Sequence, residues 1–285
     1  MRRLIVFGAV SGAPGVTTTA LAVASAWPPE ADEGVRPVVV EADPSGGDLL
    51  IRFGLPSSPS LLDVAAASRQ PHPGSLLGAA SELPMGVRAV AAVPGRGPCR
   101  EAVRLLADPA GHRVLLGDER DRGSTLLDVG RLTEDVQPLL DAADHVVLVA
   151  RGGAAPLTHV AAYATDIDKH VERLTLAIVG PCPYTAEDVT QSLGIEAVAF
   201  LPWDAKWAAT VGAPRCVARR PARFGRRPLL GAARALARRV TGTRAYGVGT
   251  GNGNGGAASR RRLVQVGGSR RSSLAQVSRG GEARP

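Results

Sequence analysis

Short apolar runs bounded by turn formers recur along the chain: LIVFGAV at 4–10, PVVVEA at 37–42, VRAVAAV at 87–93, STLLDV at 124–129, HVVLVA at 145–150, LTLAIVG at 174–180 and AVAFLP at 197–202. They are rich in valine and leucine and do not alternate with polar residues, so they predict strands covered on both faces. Between them apolar positions recur at helical spacing over 17–27, 59–68, 100–107, 133–141, 156–171 and 185–193. Strands alternating with helices predict an α/β fold: a mostly parallel sheet with right-handed crossovers and helices on both faces. Ligands in such sheets bind beyond the carboxyl ends of the strands, which directs attention to the loops that follow each run.

A last helix is predicted over 228–240. Leu229, Leu230, Ala233, Leu236, Ala237 and Val240 form one stripe and Arg234, Arg238 and Arg239 the other, so the apolar stripe is expected to dock on the domain. Residues 242–285 hold too much glycine and too little apolar content to bury a core, and read as a flexible Gly/Ser/Arg-rich tail after a domain spanning 1–241.

Composition narrows the class. With 285 residues, 45% hydrophobic and 21% charged, the chain can bury one large core. No run approaches the roughly 18 apolar residues that span a bilayer, and MRRLIVFGAV lacks the features of a secretory signal, so a cytoplasmic location is expected. Cys99, Cys182 and Cys216 are too few and too scattered for a disulfide framework or a zinc site and are expected to be reduced thiols.

Charge is polarised. From Arg215 onward 17 arginines face one acid, Glu282, whereas before it 17 basic residues face 25 acids, within a net charge of +8. Such an end invites a polyanion. Arg219, Arg220, Arg223, Arg226 and Arg227, with Arg260, Arg261 and Arg262 in the tail, are the candidate contacts to nucleic-acid phosphates. With few aromatics for base stacking, DNA binding there would be salt-sensitive and indifferent to sequence. Membrane attachment ranks lower, because the last helix has no large aromatic anchor. The alternative is a solvated tail in an arginine-rich chain.

The chemistry begins at SGAPGVTT, residues 11–18, between the first strand and the first helix. Gly12 and Gly15 permit the backbone conformations and close approach of a phosphate cradle, and Thr17 and Thr18 open a helix whose free amides and dipole attract an anion. This stretch resembles the loop of the MinD/ParA family of P-loop ATPases. On that pattern Ser11 stands at the first signature lysine, Gly12 and Ala13 at the glycine pair, Pro14 at the free position, Gly15 at the third glycine, Val16 at the phosphate-gripping lysine and Thr17 at the magnesium ligand. VVVEADPSGGDL resembles the family's first switch, which implies that Asp43 orients the attacking water and that Glu41 lies beside the metal shell. STLLDVGRL resembles the second-switch strand, which implies Asp128 as the outer-shell magnesium aspartate. Pro202 and Asp204 match the Pro-x-Asp loop near the adenine, so the implied nucleotide contacts are Gly12 to Thr18, Pro202 and Asp204, and the implied Mg2+ set is Thr17, Asp43 and Asp128. The resemblance covers about 3–240.

Both signature lysines are missing. A lysine on phosphate oxygens contributes charge-assisted contacts of about 1.5 to 3 kcal/mol each, and valine supplies none. The resemblance therefore implies a degenerate positioning or partitioning scaffold for a chromosome, septum or secretion/pilus machine, nearest the TadZ-like branch. It would have a protein partner, a homodimeric state and weak or absent binding and hydrolysis of ATP with Mg2+. One alternative is an active ATPase using arginines in place of the lysines, although Arg131 and Arg151, just past strand ends, read as solvated surface residues. Another is a nucleic-acid-binding module through the basic C-terminus.

Overall fold

The computed structural model describes residues 1–70, 75–164, 172–212 and 228–242. The strands are β1 Arg3–Ala9, β2 Val38–Glu41, β3 Ser81–Glu82, β4 Arg88–Val90, β5 Ser124–Arg131, β6 His145–Arg151, β7 Leu174–Val179 and β8 Ala197–Leu201. The α-helices are α1 Val16–Ser25, α2 Leu49–Phe53, α3 Leu61–Ala67, α4 Arg96–Leu106, α5 Pro109–Leu116, α6 Gln137–Ala142, α7 Ala154–Ala164, α8 Ala186–Leu193, α9 Ala205–Gly212 and α10 Pro228–Gly242. One sheet runs in the order β3-β4-β2-β5-β1-β6-β7-β8, parallel except between β3 and β4.

Side-chain alternation along each strand splits the apolar runs between two cores. Leu4 and Val6 of β1, Val38 and Val40 of β2, and Leu127 and Val129 of β5 pack under α3 to α8. Ile5 and Phe7, Val39 and Leu126 face the other way, under α1, α2, α9 and α10. Covering both faces is what lets these strands be apolar at every position. The last helix docks as its stripe predicts: Leu229, Ala233, Leu236, Ala237 and Val240 are buried, and Arg238 pairs with Glu30 at 3.0 Å.

Each of the seven apolar runs contains a strand, with 87–93 shortened to Arg88–Val90. The eighth strand, β3, has two residues and joins the edge antiparallel, too short to leave a periodicity. Helices α2, α5 and α9 also add to the expected set. α5 begins at a proline in its first turn after Asp108, and its Gly111 interrupts the apolar pattern. The 156–171 helix is described over Ala154–Ala164, and α10 ends at Gly242. The tail beyond Gly242 and Arg219, Arg220, Arg223, Arg226, Arg227, Arg260, Arg261 and Arg262 lie outside the described residues. Among the described residues no helix is long and apolar enough to cross a membrane.

Candidate functional site

The loop after β1 sits at the carboxyl edge of the sheet, with β5 and β6 on either side of β1. Gly15 caps α1 at φ 98°, ψ 47°, a left-handed conformation that a side chain would strain. It offers no side-chain cap, and the first helical bond runs from Thr19 N–H to Gly15 O at 2.9 Å. The amides of the first turn therefore remain open to an anion. Gly12 and Ala13 are exposed, Pro14 is buried, and Thr17 and Thr18 are half-buried. Val16 is 7% exposed and belongs to the apolar cluster beneath α1, so its side chain serves the core.

Two of the expected acids meet behind this loop. Asp128, on β5, is fully buried; the Thr17 hydroxyl lies against it, and Gly130 N–H donates to its Oδ1 at 3.1 Å. Its Oδ2 has no hydrogen-bond partner among the described residues. Burial pushes this carboxyl up to about 6, against the Thr17 and Gly130 hydrogen bonds, and the nearby Asp43 adds to the rise. Asp43 accepts the Ser45 N–H at 2.8 Å, closing a tight turn after β2. A Cβ on Gly130 would fall 1.9 Å from Asp43 Oδ2, so glycine at 130 is what lets Asp43 lie over the end of β5. Thr17, Asp43 and Asp128 are thus brought together. Among the described residues no three His, Cys, Asp or Glu side chains form a metal cluster. The arrangement still fits Mg2+, which keeps most of its waters and takes one or two carboxylates, and the orphaned buried Oδ2 is an acceptor suited to a hydrated cation.

Glu41 lies beside this group without joining it. It ends β2 beside Asp128 in register, but its carboxylate turns inward and accepts N–H groups from Asp48 at 2.7 Å, Leu49 at 3.0 Å and Ala92 at 3.0 Å. It is a strut that ties the start of α2 and the segment after β4 to the strand end. Burial pushes it up to about 7 in spite of those three donors. Because the folded-state values of Glu41 and Asp128 are raised, the folded chain binds more protons than the unfolded chain, and stability on their account falls as pH rises. Lowering pH from about 7 to about 5 therefore raises the stability contribution of these two acids, while buried His145, held down to about 4, contributes in the opposite sense. Glu41→Gln, which has no proton to take up, should gain less melting temperature over that range, or lose more, than the unaltered chain in a thermal scan, and an identical slope would contradict the assignment.

On the other side of the loop lies a cleft of about 110 Å³ lined by Ala13, Pro14, Gly15, Thr18, Arg151, Pro202, Trp203 and Asp204, among others. Pro202 and Asp204 therefore share one cleft with the loop. Asp204 Oδ1 accepts the Trp207 N–H at 2.9 Å and caps α9. Arg131 and Arg151 are exposed, as expected of surface arginines, and each also has a contact. Arg131 Nη2 reaches Gly12 O at 3.5 Å, and Arg151 stacks over the Trp203 ring with its guanidinium carbon 4.4 Å from the centroid. A residue that sequence patterns do not single out is Trp207, fully buried under α1 with its Nε1–H donating to Thr18 O at 3.4 Å. The available signal is the spacing of Asp204 and Trp207, a helix cap followed by an anchor.

No protein-family model and no curated protein matches the sequence. Solved structures do. MinD, the septum site-determining protein of Pyrococcus horikoshii OT3 complexed with Mg-ADP, is 16% identical with a TM-score of 0.61, over 84% of this chain and 96% of that one. A ParA family ATPase from Chlorobium tepidum TLS is 15% identical with a TM-score of 0.59, over 83% and 99%. A chain of the MinC:MinD cell division protein complex of Aquifex aeolicus is 17% identical with a TM-score of 0.57, over 84% and 96%. Likeness at this level of identity establishes the fold, which is that of the ParA/MinD ATPases.

Proposed function

We propose that this chain, built on the fold of the ParA/MinD ATPases, is a positioning or partitioning protein that marks a cellular site or carries cargo, with a phosphate seat weakened in its hold on nucleotide. Val16 carries this reading: the residue that opens α1 is committed to the core, and no ammonium rises from the loop. What remains is a seat of backbone amides and threonine hydroxyls, which retains some affinity for phosphate. Thr17 and Asp128 would hold Mg2+, and the ion, when bound, neutralises phosphate charge. Asp43, anchored by its own turn at the mouth, would orient a water. Hydrolysis suffers more than binding from missing cations, because charge developing on the transferred group needs fixed positive partners.

The neighbouring MinC:MinD complex supports a protein partner as the means by which position is conferred. A fluorescent fusion of the full chain is expected to form polar, septal or nucleoid-linked foci. Uniformly diffuse signal at native expression would defeat the positioning role.

A further inference from the structure

The geometry points to Arg151 as the cation that meets a ligand's phosphates in this cleft, held in place by the ring of Trp203. The inference rests on the phosphate seat proposed above and says what completes it. Arg151 ends β6 in register with Val179 of β7, which is in register with Leu201 of β8, and Pro202 and Trp203 follow directly. Three adjacent strand ends thus bring the arginine and the tryptophan to one edge of the sheet. The guanidinium lies 4.4 Å from the ring centroid, well inside cation–π range. A Cβ on Gly180 would stand 3.9 Å from Arg151 Nη1, so a long side chain there would compete for the space the guanidinium occupies. Trp203 is 53% exposed and lines the cleft together with Arg151 and with Ala13, Gly15 and Thr18 of the loop.

Charge supports the same assignment. Neither Arg131 nor Arg151, the two arginines beside the loop, is paired with a carboxylate among the described residues, and of the two it is Arg151 that lines the cleft. Asp204 lines the same cleft, but its Oδ1 is engaged in capping α9. On the far side of the loop the buried Asp128 Oδ2 has no hydrogen-bond partner among the described residues. An oligophosphate lying across the start of α1 would meet amides beneath it and a planar guanidinium fork from the opposite wall. Arg151 thereby supplies from β6 the charge that Val16 does not supply from the loop. The ligand class is an oligophosphate, free or as part of a nucleotide.

Calorimetric titration of the full-length chain with Mg-ATP, and separately with inorganic tripolyphosphate, tests this. Arg151→Ala is expected to weaken both by about 10- to 100-fold, the loss of one charge-assisted contact, and Arg151→Lys to restore part of it. Trp203 is the exposed tryptophan, Trp27 and Trp207 being buried at 7% and 0%, so ligand should change fluorescence in the unaltered chain and not in Trp203→Phe. Unchanged affinity in Arg151→Ala overturns the inference and leaves the positioning role standing. A loss confined to Mg-ATP also overturns it, by assigning Arg151 to the nucleoside. No binding of either ligand by the unaltered chain removes both the inference and the phosphate seat.

Discussion

Replacing Trp207 with alanine is expected to lower stability by about 3 to 5 kcal/mol, the range for truncating a fully buried large aromatic. Trp207 is the largest fully buried side chain, in the apolar cluster shared by α1, α9 and α10. Its polar atoms are also engaged: the main-chain N–H with Asp204 and the indole N–H with Thr18 O. The substitution therefore leaves a cavity under the first turn of α1 and removes a tie between the cleft and the phosphate loop. For a domain of this size each kcal/mol moves the melting temperature by about 2 to 4 °C, so a fall on the order of 10 °C is expected in a calorimetric scan. Trp207→Phe keeps most of the apolar volume and should recover more than half. A melting temperature for Trp207→Ala within about 2 °C of the unaltered chain, less than 1 kcal/mol, would show that the cluster does not hold α9 against α1.

The second large effect is a gain. Val16→Lys is expected to tighten Mg-ATP binding by about 10- to 100-fold, the value of one charge-assisted contact to phosphate. It should also cost about 1.5 to 2 kcal/mol of stability in the unliganded chain, because a buried valine leaves the core. The two effects separate because they act on different states: the lysine stem can run along the apolar wall and place its ammonium at the loop mouth, where it matters only when phosphate is present. A fluorescent ATP analogue with magnesium reads the first effect and urea unfolding the second. If the unaltered chain already binds tightly and the variant adds nothing, the weakened-seat reading is lost, and the cation must come from elsewhere in the fold.

Much of the architecture is legible in the order of residues. Buried parallel strands leave continuous apolar runs, because both faces of each strand need apolar side chains, and that signal locates seven of the eight strands among the described residues. The phosphate loop is legible because Gly15 has to adopt a left-handed conformation and because a helix must start immediately after it. Asp128 is legible as an acid inside an apolar run, a position that demands a reason. Glu41 is legible as an acid beside the metal shell, but the inward turn of its carboxylate has a local cause that the sequence hides. Two residues before Asp43, it would share that residue's face if the strand continued, but β2 ends at Glu41 and the Ser45 turn breaks the alternation. Two-residue β3 and five-residue α2 are too short to carry a period, and α9 is recognisable chiefly through Asp204 capping it.

The sequence by itself determined the layering of the sheet, the shape of the phosphate loop and the lack of an ammonium within it, because each depends on residues close together along the chain. Only the tertiary structure decided which charge faces the cleft. Arg131 and Arg151 are alike in sequence, each an arginine closing an apolar run. One is drawn to the Gly12 carbonyl and the other onto Trp203. That difference follows from the register of β6, β7 and β8, whose ends are distant in sequence and meet only when the sheet closes.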